Sequence, residues 1–391
     1  MKVVIFSDTF PPQINGIATS ARNLMTSLIA HGVETLVVTT NPYENHFSFK
    51  DNIIRIPGIE MKKLYGYKAA GVFNAEAWEI IKKFNPDVCH IQTDVGIGQF
   101  GFICVSRLKC ASVATFHTSY EDYTYYATKG YFDRFAKNAV RIYVRMLSNR
   151  ADEFISPSDK TREYMRSIGV DCFVNVIPTG IDFSIYKDEA ISQKRVEEIK
   201  KKFDIPEDAY VILSLGRVAK EKSIDICLKG YSEYLKNGPE AKTIMVIVGG
   251  GPALDGLKEL SAELGIKDHV RFVGPVNPDD VPTYYKLGNC FVSASITETQ
   301  GLTFMEAMAA KLVLFCRFDD TLTNTITEGV NGFFFLDEFD FAKKLGGIIA
   351  LKEPTLRMIH DEERKSIEPY SLERFGDNAI EVYKRAIKKK W

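Results

Sequence analysis

The chain has 391 residues, of which 45% are hydrophobic and 26% are charged, a composition typical of a soluble globular protein. Lys and Arg number 50 against 51 Asp and Glu, so the net charge of −1 excludes recruitment to nucleic acid or membrane by bulk charge. The 7 cysteines form no C-x-x-C pair, which argues against a disulfide framework or a zinc site and favours a reducing compartment.

The first half of the chain alternates strand-like and helical patterns. It opens on the apolar run Lys2–Asp8, which is typical of a buried parallel strand and not of a signal peptide. A Pro-rich turn ending at Gly16 leads into a helix that reaches about Ala30. Further strand-like runs are Glu34–Thr40, Ile53–Pro57, Asp87–Thr93, Ser112–Thr118 and Glu153–Ser158. Such alternation predicts a doubly wound α/β domain.

The pattern restarts after a boundary near Pro178 and Gly180, inside the strand-like stretch Asn175–Asp182. The later strands are Tyr210–Gly216, Thr243–Val248, Val270–Val273, Cys290–Ala294 and Leu312–Cys316. Domains average roughly 100–200 residues, so two are expected. We predict two Rossmann-like doubly wound α/β domains facing a cleft, residues 1–182 and 183–370. The last helix is predicted over Leu372–Lys390, and the segment 371–391 is expected to pack back on the first domain.

Two carboxylates, Glu298 and Glu306, stand eight positions apart around a glycine turn and a helix expected to start at Thr303. Both side chains are predicted to face one pocket, into which the N–H groups of Gly301, Leu302 and Thr303 point. A helix N-terminus is a ready phosphate site, and carboxylates accept hydrogen bonds from sugar hydroxyls. The stretch therefore predicts a sugar-nucleotide site, although an acidic helix cap followed by a solvated Glu fits equally.

Two cations, Arg217 and Lys222, follow the first strand of the second half. They could neutralise a diphosphate, Arg in a bidentate manner and Lys as a point charge, or belong to a surface turn in which Lys220 and Glu221 are solvated. The chain has no D-x-D motif and no metal-ligand spacing. We therefore predict that cations and backbone dipoles take the place of a metal.

Three further positions have both a functional and a structural interpretation. Val248-Gly-Gly-Gly-Pro252 predicts a turn with Pro252 at the first helical position, either close to a nucleotide base or purely structural. Gly16 would let a ligand approach the start of a helix, or is an ordinary loop glycine. His117 closes a strand on the predicted cleft rim, near the reacting carbon, although a lone His is more often structural.

Residues 129–150 form a basic run with six Lys or Arg and one acid. Lys137, Arg141 and Arg145 recur every fourth residue and so share one helix face. The run follows an aromatic cluster that includes Tyr120, Tyr123 and Tyr126. A basic amphipathic helix of this kind is typical of a membrane-surface element, where each cation contributes about 1 kcal/mol near anionic lipid. A domain helix with a solvated basic face is the alternative.

Taken in order, these motifs resemble the retaining glycosyltransferases of family 4, which have the two-domain GT-B fold, over essentially the whole chain. The marks are Glu298-x7-Glu306 followed by Ala-Met-Ala, the Pro-Pro loop ending at Gly16, Pro-Thr-Gly-Ile-Asp182, Arg217 with Lys222, and Gly-Gly-Gly-Pro252. One departure is Ala310-Lys-Leu-Val, where many relatives have Gly-x-Pro. It affects the loop after the helix and leaves both Glu in place.

The resemblance implies a role for each matching residue. Arg217 and Lys222 would bind the leaving diphosphate, Glu298 the donor sugar and Glu306 the ribose, with His117 beside the reacting sugar. The remaining implied donor contacts are Gly16, Gly250, Val273, Gly301, Leu302 and Thr303. The implied reaction retains configuration by front-side attack, with electrostatic stabilisation of the leaving group as the main catalytic contribution.

Within the family, His117-Thr-Ser-Tyr-Glu-Asp-Tyr123 and the basic helix are most similar to bacterial 1,2-diacylglycerol 3-glucosyltransferases, which are monotopic membrane enzymes. This implies UDP-glucose as donor, diacylglycerol as acceptor, and no cofactor or required metal. It also implies an anionic membrane surface and no nucleic acid as partners, at the cytoplasmic membrane face. The alternatives are another lipid or a soluble acceptor, UDP-galactose or GDP-mannose, a UDP-sugar epimerase, and a non-catalytic membrane-binding protein.

Overall fold

The computed structural model describes residues 1–13, 15–61, 67–117, 133–238, 242–295, 298, 300–319, 322–323 and 325–391. For residues 61, 67, 133–137, 139 and 140 it describes the backbone alone. The chain forms two compact units, one of residues 1–181 with 370–391 and the other of residues 182–369.

The first unit is built on a sheet of eight strands within the described ranges, in the order β10-β9-β8-β7-β1-β2-β4-β3. All neighbours run parallel except the β3–β4 pair, and β5 and β6 form a separate antiparallel hairpin. The strands are β1 (Lys2–Phe6), β2 (Glu34–Thr40), β3 (Ser48–Lys50), β4 (Ile53–Ile56), β5 (Gly58–Met61), β6 (Tyr67–Ala70), β7 (Val88–Ile91), β8 (Ala111–Thr115), β9 (Glu153–Ser156) and β10 (Val174–Val176). The helices are α1 (Gly16–Ala30), α2 (Ala75–Phe84), α3 (Gly96–Leu108), α4 (Asp133–Ser148) and α5 (Asp159–Ser167).

The second unit is built on a parallel sheet of six strands in the part of the chain that is described, in the order β13-β12-β11-β14-β15-β16. Its strands are β11 (Tyr210–Leu215), β12 (Thr243–Val248), β13 (Val270–Gly274), β14 (Cys290–Ser293), β15 (Val313–Arg317) and β16 (Phe333–Phe335). Its helices are α6 (Gln193–Lys202), α7 (Ile224–Lys236), α8 (Leu254–Glu263), α9 (Val281–Tyr285), α10 (Leu302–Ala309), α11 (Glu338–Ile349) and α12 (Glu353–Ile367). Short 3-10 turns are Phe183–Tyr186, Asp188–Ala190, Lys220–Lys222, Lys267–His269, Pro278–Asp280 and Glu368–Tyr370.

The last helix, α13 (Leu372–Lys390), belongs to the first unit. The side chain of Ser371 caps it by accepting from the Arg374 N–H, and its apolar face packs against α1 and the sheet. Tyr383 on this face is fully buried, and Lys389 at the end of the helix forms a 2.8 Å ion pair with Glu153. Helix α13 thus covers one face of the first sheet together with α1. Central strands of both sheets, such as β2 and β12, are buried on two faces, which explains their continuous apolar runs.

Some local predictions are wrong. The short strands β3, β5, β6 and β16 were not expected, and the predicted strand Asn175–Asp182 is limited to β10 and an isolated bridge from Ile181 to Ser371. Pro252 precedes α8 instead of opening it, because the Leu254 N–H donates to the Gly251 carbonyl at 3.2 Å in a tight turn, and the first helical bond runs from the Leu257 N–H to the Ala253 carbonyl. None of the helices among the described residues is long and apolar enough to cross a bilayer.

Candidate active site

The strand order of the second unit reverses between β11 and β14, which lie side by side in the sheet. Ligands of open α/β sheets bind at such a switch point, beyond the carboxyl ends of the strands. Arg217 and Lys222 follow β11, while Glu298 and Gly301 follow β14. The fold therefore brings together, at one edge of the sheet, two groups of residues that the sequence places about 80 positions apart.

Glycines allow the loops at this edge to touch. A Cβ on Gly249 would collide with the Gly216 carbonyl oxygen, and a Cβ on Gly216 would lie 3.9 Å from the Thr303 side chain. Gly250 accepts a 2.9 Å hydrogen bond from Val218, and a Cβ there would lie 3.4 Å from Pro275, just after β13. The turn at Gly250 is thus a backbone junction between neighbouring loops. Val273 is half-buried on β13.

Lys222 and Glu298 form an ion pair with a separation of 2.6 Å between Nζ and Oε1. Their side chains are only 28% and 15% exposed, so the pair is partly shielded from water. Charge-assisted hydrogen bonds of this kind are short and strong. The pair joins the loop after β11 to the loop after β14 and holds a positive and a negative group at the switch point.

Arg217 donates a hydrogen bond from Nη2 to Glu221 Oε1. The expectation that Glu221 is simply solvated is wrong, because its side chain is 22% exposed and pairs with Arg217. A diphosphate would have to compete with this carboxylate for the guanidinium. Both predicted cations therefore have an acidic partner, which compensates their positive charge at this edge of the sheet.

Helix α10 begins at Leu302, one residue earlier than predicted. Gly301 precedes it with φ of +73°, a left-handed conformation that favours glycine, and a Cβ there would collide with the Phe304 ring. Because Gly301 has no side chain, it cannot cap the N–H groups of Leu302 and Thr303. Such first-turn N–H groups have no acceptor within their own helix and suit an anion.

Glu306 lies in the second turn of α10, on a partly buried face. The Tyr285 hydroxyl donates to its Oε2 at 2.8 Å, and the Tyr186 hydroxyl donates to the same carboxyl group. Burial nevertheless raises the pKa of Glu306 to about 7. Sequence reasoning missed both tyrosines, since no motif spacing links them to Glu306. A shared pocket for Glu306 and Glu298 stays a prediction, because each carboxylate has different partners.

His117 lies in the first unit, two residues after β8. Its Nε2 is hydrogen bonded to Oε1 of Gln92, which directly follows the neighbouring strand β7. Burial lowers the pKa of His117 to about 4, so the ring is neutral near pH 7. Sequence reasoning missed Gln92. The available signal was its place at the end of an apolar strand, two positions after His90, because residues two apart point to the same side of a strand.

The other predicted positions of the first unit are distributed as follows. Gly16 is the first residue of α1, after Asn15, whose side chain accepts from the Ala18 N–H at 2.8 Å. Among the described residues, a Cβ on Gly16 would meet no atom within 4 Å, so packing alone does not require glycine there. Arg141 and Arg145 are exposed on α4. The side chain of Lys137 and the whole of Tyr120, Tyr123 and Tyr126 lie outside the described residues.

Two comparisons of sequence decide the family. The family model described as "Glycosyltransferase Family 4" matches residues 14–184, and the family model described as "Glycosyl transferases group 1" matches residues 195–365. The alpha-monoglucosyldiacylglycerol synthase of Streptococcus pneumoniae is 33% identical over 99% of this chain and 86% of its own length. The protein of the same description from Acholeplasma laidlawii is 32% identical over 98% and 96%. The chain belongs to the family 4 glycosyltransferases. The resemblance predicted from the motifs is confirmed.

Solved structures also share the fold of this glycosyltransferase. A glycosyltransferase from Rickettsia africae superposes with a TM-score of 0.72 at 18% identity, covering 99% of this chain and 98% of the other. Anabaena HepE in complex with UDP-glucose gives a TM-score of 0.71 at 14% identity, covering 97% and 98%. The predicted α/β fold class of the GT-B type is confirmed, and the enzyme is a hexosyltransferase by family. Within the described residues, no group of three or more His, Cys, Asp or Glu side chains is arranged to hold a metal ion.

Proposed function

We propose that this glycosyltransferase moves glucose from UDP-glucose to diacylglycerol and gives alpha-monoglucosyl-diacylglycerol. The observation that carries the proposal is the match of nearly the whole chain, at 32–33% identity, to two proteins described as alpha-monoglucosyldiacylglycerol synthases. The contacts at the switch point of the second unit support it, because they combine cations, carboxylates and a helix N-terminus. These are the groups that a nucleotide diphosphate sugar would use.

In this proposal the second unit, residues 183–370 by the predicted limits, binds the donor. The diphosphate replaces Glu221 on Arg217 and shares Lys222 with Glu298, which turns to the sugar hydroxyls. The N–H groups of Leu302 and Thr303 supply the helix dipole. The first unit then binds the acceptor, with His117 beside the reacting sugar.

The chemical step proposed is transfer with retention by front-side attack. The glycosidic bond to the diphosphate breaks first, and the positive charges of Arg217 and Lys222 stabilise the departing oxygen. The hydroxyl oxygen of diacylglycerol then bonds to the anomeric carbon on the face that the diphosphate leaves. An oxygen of the leaving phosphate takes the proton of that hydroxyl. The Lys222–Glu298 ion pair supports this route, because a carboxylate already neutralised by a lysine is a poorer nucleophile. Neither a divalent metal nor another cofactor takes part.

We also propose that helix α4 rests on the cytoplasmic face of the cell membrane. Next to the exposed Arg141 and Arg145, the apolar side chains of Ile142 and Met146 are 66% and 52% exposed, while Val144 and Leu147 on the opposite side are buried. Cations beside exposed apolar groups suit an anionic lipid interface. Arg145 Nε also donates to the Gly169 carbonyl at 2.9 Å, which anchors the helix to the first unit.

Neutralising Lys137, Arg141 and Arg145 together to Gln should weaken binding to vesicles that contain anionic lipid by roughly 10²-fold, from about 1 kcal/mol for each cation. Sedimentation with vesicles at increasing salt measures this, while UDP binding stays unchanged. The control neutralises Lys194, Lys201 and Lys202, three exposed lysines of α6, with the same loss of charge. Equal weakening by both triple variants, or none by the first, would contradict a specific contact through α4.

The proposed reaction is tested with a panel of donors and acceptors. UDP-glucose, UDP-galactose and GDP-mannose are each offered with diacylglycerol vesicles, with a water-soluble sugar, or with no acceptor, both with and without EDTA. We expect glucosyl-diacylglycerol of alpha configuration from UDP-glucose only, with the same rate in EDTA. Equal turnover of the soluble acceptor without lipid would sink the lipid assignment, and an altered UDP-sugar formed without acceptor would indicate an epimerase.

A further inference from the structure

A buried chain of polar side chains runs through the first unit from His117 to the last helix. Gln92 Oε1 is hydrogen bonded to His117 Nε2, and Gln92 Nε2 lies 3.1 Å from His90 Nε2. His90 Nε2 also contacts Thr115 Oγ1 at 2.7 Å, and His90 Nδ1 lies 2.6 Å from the Tyr383 hydroxyl. His90, Gln92 and Tyr383 are at most 2% exposed, so solvent does not compete for these bonds.

The chemistry of the amide fixes where the protons lie. An amide oxygen can only accept, so His117 Nε2 carries a proton and donates it to Gln92 Oε1. An amide nitrogen can only donate, so His90 Nε2 is an acceptor, and its single lone pair is shared between the Gln92 amide and the Thr115 hydroxyl. A neutral imidazole then carries its proton on the other nitrogen, and His90 Nδ1 donates to the Tyr383 oxygen. With the Gln92 amide oriented as in the structure, this assignment of tautomers is compatible with all four contacts.

Both imidazoles are neutral at the pH of the cell. Burial lowers the pKa of His90 to about 3, and the nearby His117 lowers it further, while burial lowers the pKa of His117 to about 4. A neutral ring presents one donor and one acceptor, so the choice of tautomer decides what His117 offers to a ligand. Without a partner on Nε2, the two tautomers would interconvert.

We propose that Gln92 and His90 are positioning residues that hold His117 as the Nε2–H tautomer, with Nδ1 as the acceptor for a hydroxyl of the donor sugar. This rests on the proposed function, in which His117 lies beside the reacting sugar. Helix α13 also takes part, because its Tyr383 hydroxyl is hydrogen bonded to His90 Nδ1 and so orients the His90 ring at the nitrogen that Gln92 does not contact. Residues that orient a reacting group within a fraction of an ångström control its contribution to the rate.

The tautomers are measured directly, in the full-length protein without substrate. Long-range ¹H–¹⁵N correlation of the ¹⁵N-histidine-labelled enzyme at pH 7 should show an Nε2–H pattern for His117 and an Nδ1–H pattern for His90. Each signal is assigned by its loss in His117→Gln or His90→Gln. Gln92→Met, which removes the amide at similar volume, should turn His117 into a mixture of tautomers, whereas Gln92→Glu keeps an acceptor oxygen and should keep Nε2–H. An Nδ1–H pattern for His117 in the unaltered enzyme, or no change in Gln92→Met, would overturn the proposal.

Kinetics separate this inference from the function on which it rests. Gln92→Met should lower kcat by about 10-fold or more, because the His117 ring is no longer held in its orientation toward the sugar. The affinity for UDP, which has no sugar for His117 to contact, should change less than about threefold, because the binding groups of the second unit are untouched. Thr35→Val removes another buried hydroxyl from the same sheet, where Thr35 bonds the Val33 carbonyl, and should change neither tautomers nor rate. If the NMR pattern is as expected but Gln92→Met has the kcat of the unaltered enzyme, a positioning role in catalysis is overturned while the hydrogen-bond chain stands. If the donor panel fails and the NMR pattern holds, the function is wrong and the tautomer assignment is not.

Discussion

Lys222→Ala should lower kcat by roughly 10²-fold or more, equivalent to about 2.7 kcal/mol of lost transition-state stabilisation. The ammonium group of Lys222 lies at the switch point, partly shielded from water, where a charge acts more strongly on a developing negative charge than at the surface. Steady-state rates with UDP-glucose and diacylglycerol vesicles measure the change. Most of the loss should appear in kcat. The negative charge on the oxygen that joins the sugar to the diphosphate grows only as the bond between that oxygen and the sugar breaks.

Lys220 provides a matched control, because it lies in the same 3-10 turn as Lys222 and is exposed. Lys220→Ala should keep the rate of the unaltered enzyme within about twofold. Removing Lys222 also leaves Glu298 without its 2.6 Å partner, so the double variant Lys222→Ala/Glu298→Gln is needed. Recovery of activity in the double variant would show that the altered charge balance at Glu298, and not the missing ammonium group, caused the loss. Turnover near the original rate in Lys222→Ala would reject the assigned role outright.

The main elements of the fold can be predicted from the sequence because buried parallel strands are short apolar runs separated by amphipathic helices. Helix α13 was predicted with the limits that the structure gives it, Leu372–Lys390. Short strands such as Ser48–Lys50 and Phe333–Phe335 were not predicted, because three residues show too little periodicity to distinguish a strand from a loop. The helix start after Pro252 was misplaced because a tight turn closed by Gly251 and Leu254 precedes α8, and the proline alone does not reveal that turn.

Local motifs in the sequence single out candidate site residues, but they do not predict the contacts between those residues. Glu298, Glu306 and the glycine between them form a local motif, which a sequence shows directly. The Lys222–Glu298 pair depends on β11 lying next to β14, and strand order is not written in any local pattern. The hydrogen bond from Tyr285 to Glu306 joins two helices, α9 and α10, so no local pattern in the sequence predicts it either. The roles given to these residues in binding the donor stay predictions until the variants are measured.

Glu306 should make the folded enzyme less stable as the pH rises from about 4.5 to about 7. Its carboxyl group has an ordinary pKa of 4.5 and a pKa of about 7 in the folded chain, where burial disfavours the charged form. Between these values the folded state holds a proton that the unfolded state has released, so the stabilising contribution is complete below pH 4.5 and lost as the pH passes 7. The expected loss is about 1.4 kcal/mol for each pH unit, or roughly 3 kcal/mol in all.

Glu306→Gln isolates this contribution, because the amide keeps the shape and one acceptor for the tyrosines but does not titrate in this range. Denaturant unfolding of both proteins at several pH values gives the difference in free energy of unfolding. The free energy of unfolding of the unaltered enzyme minus that of Glu306→Gln should decrease as the pH rises. The contributions of other buried acids such as Glu363 cancel, because both proteins contain them. A difference that stays flat from pH 4.5 to 7.5 would show that Glu306 is already ionised in the fold. If the ionised carboxylate accepts the two ribose hydroxyls, UDP affinity of the unaltered enzyme should rise over the same interval, and that of Glu306→Gln should not.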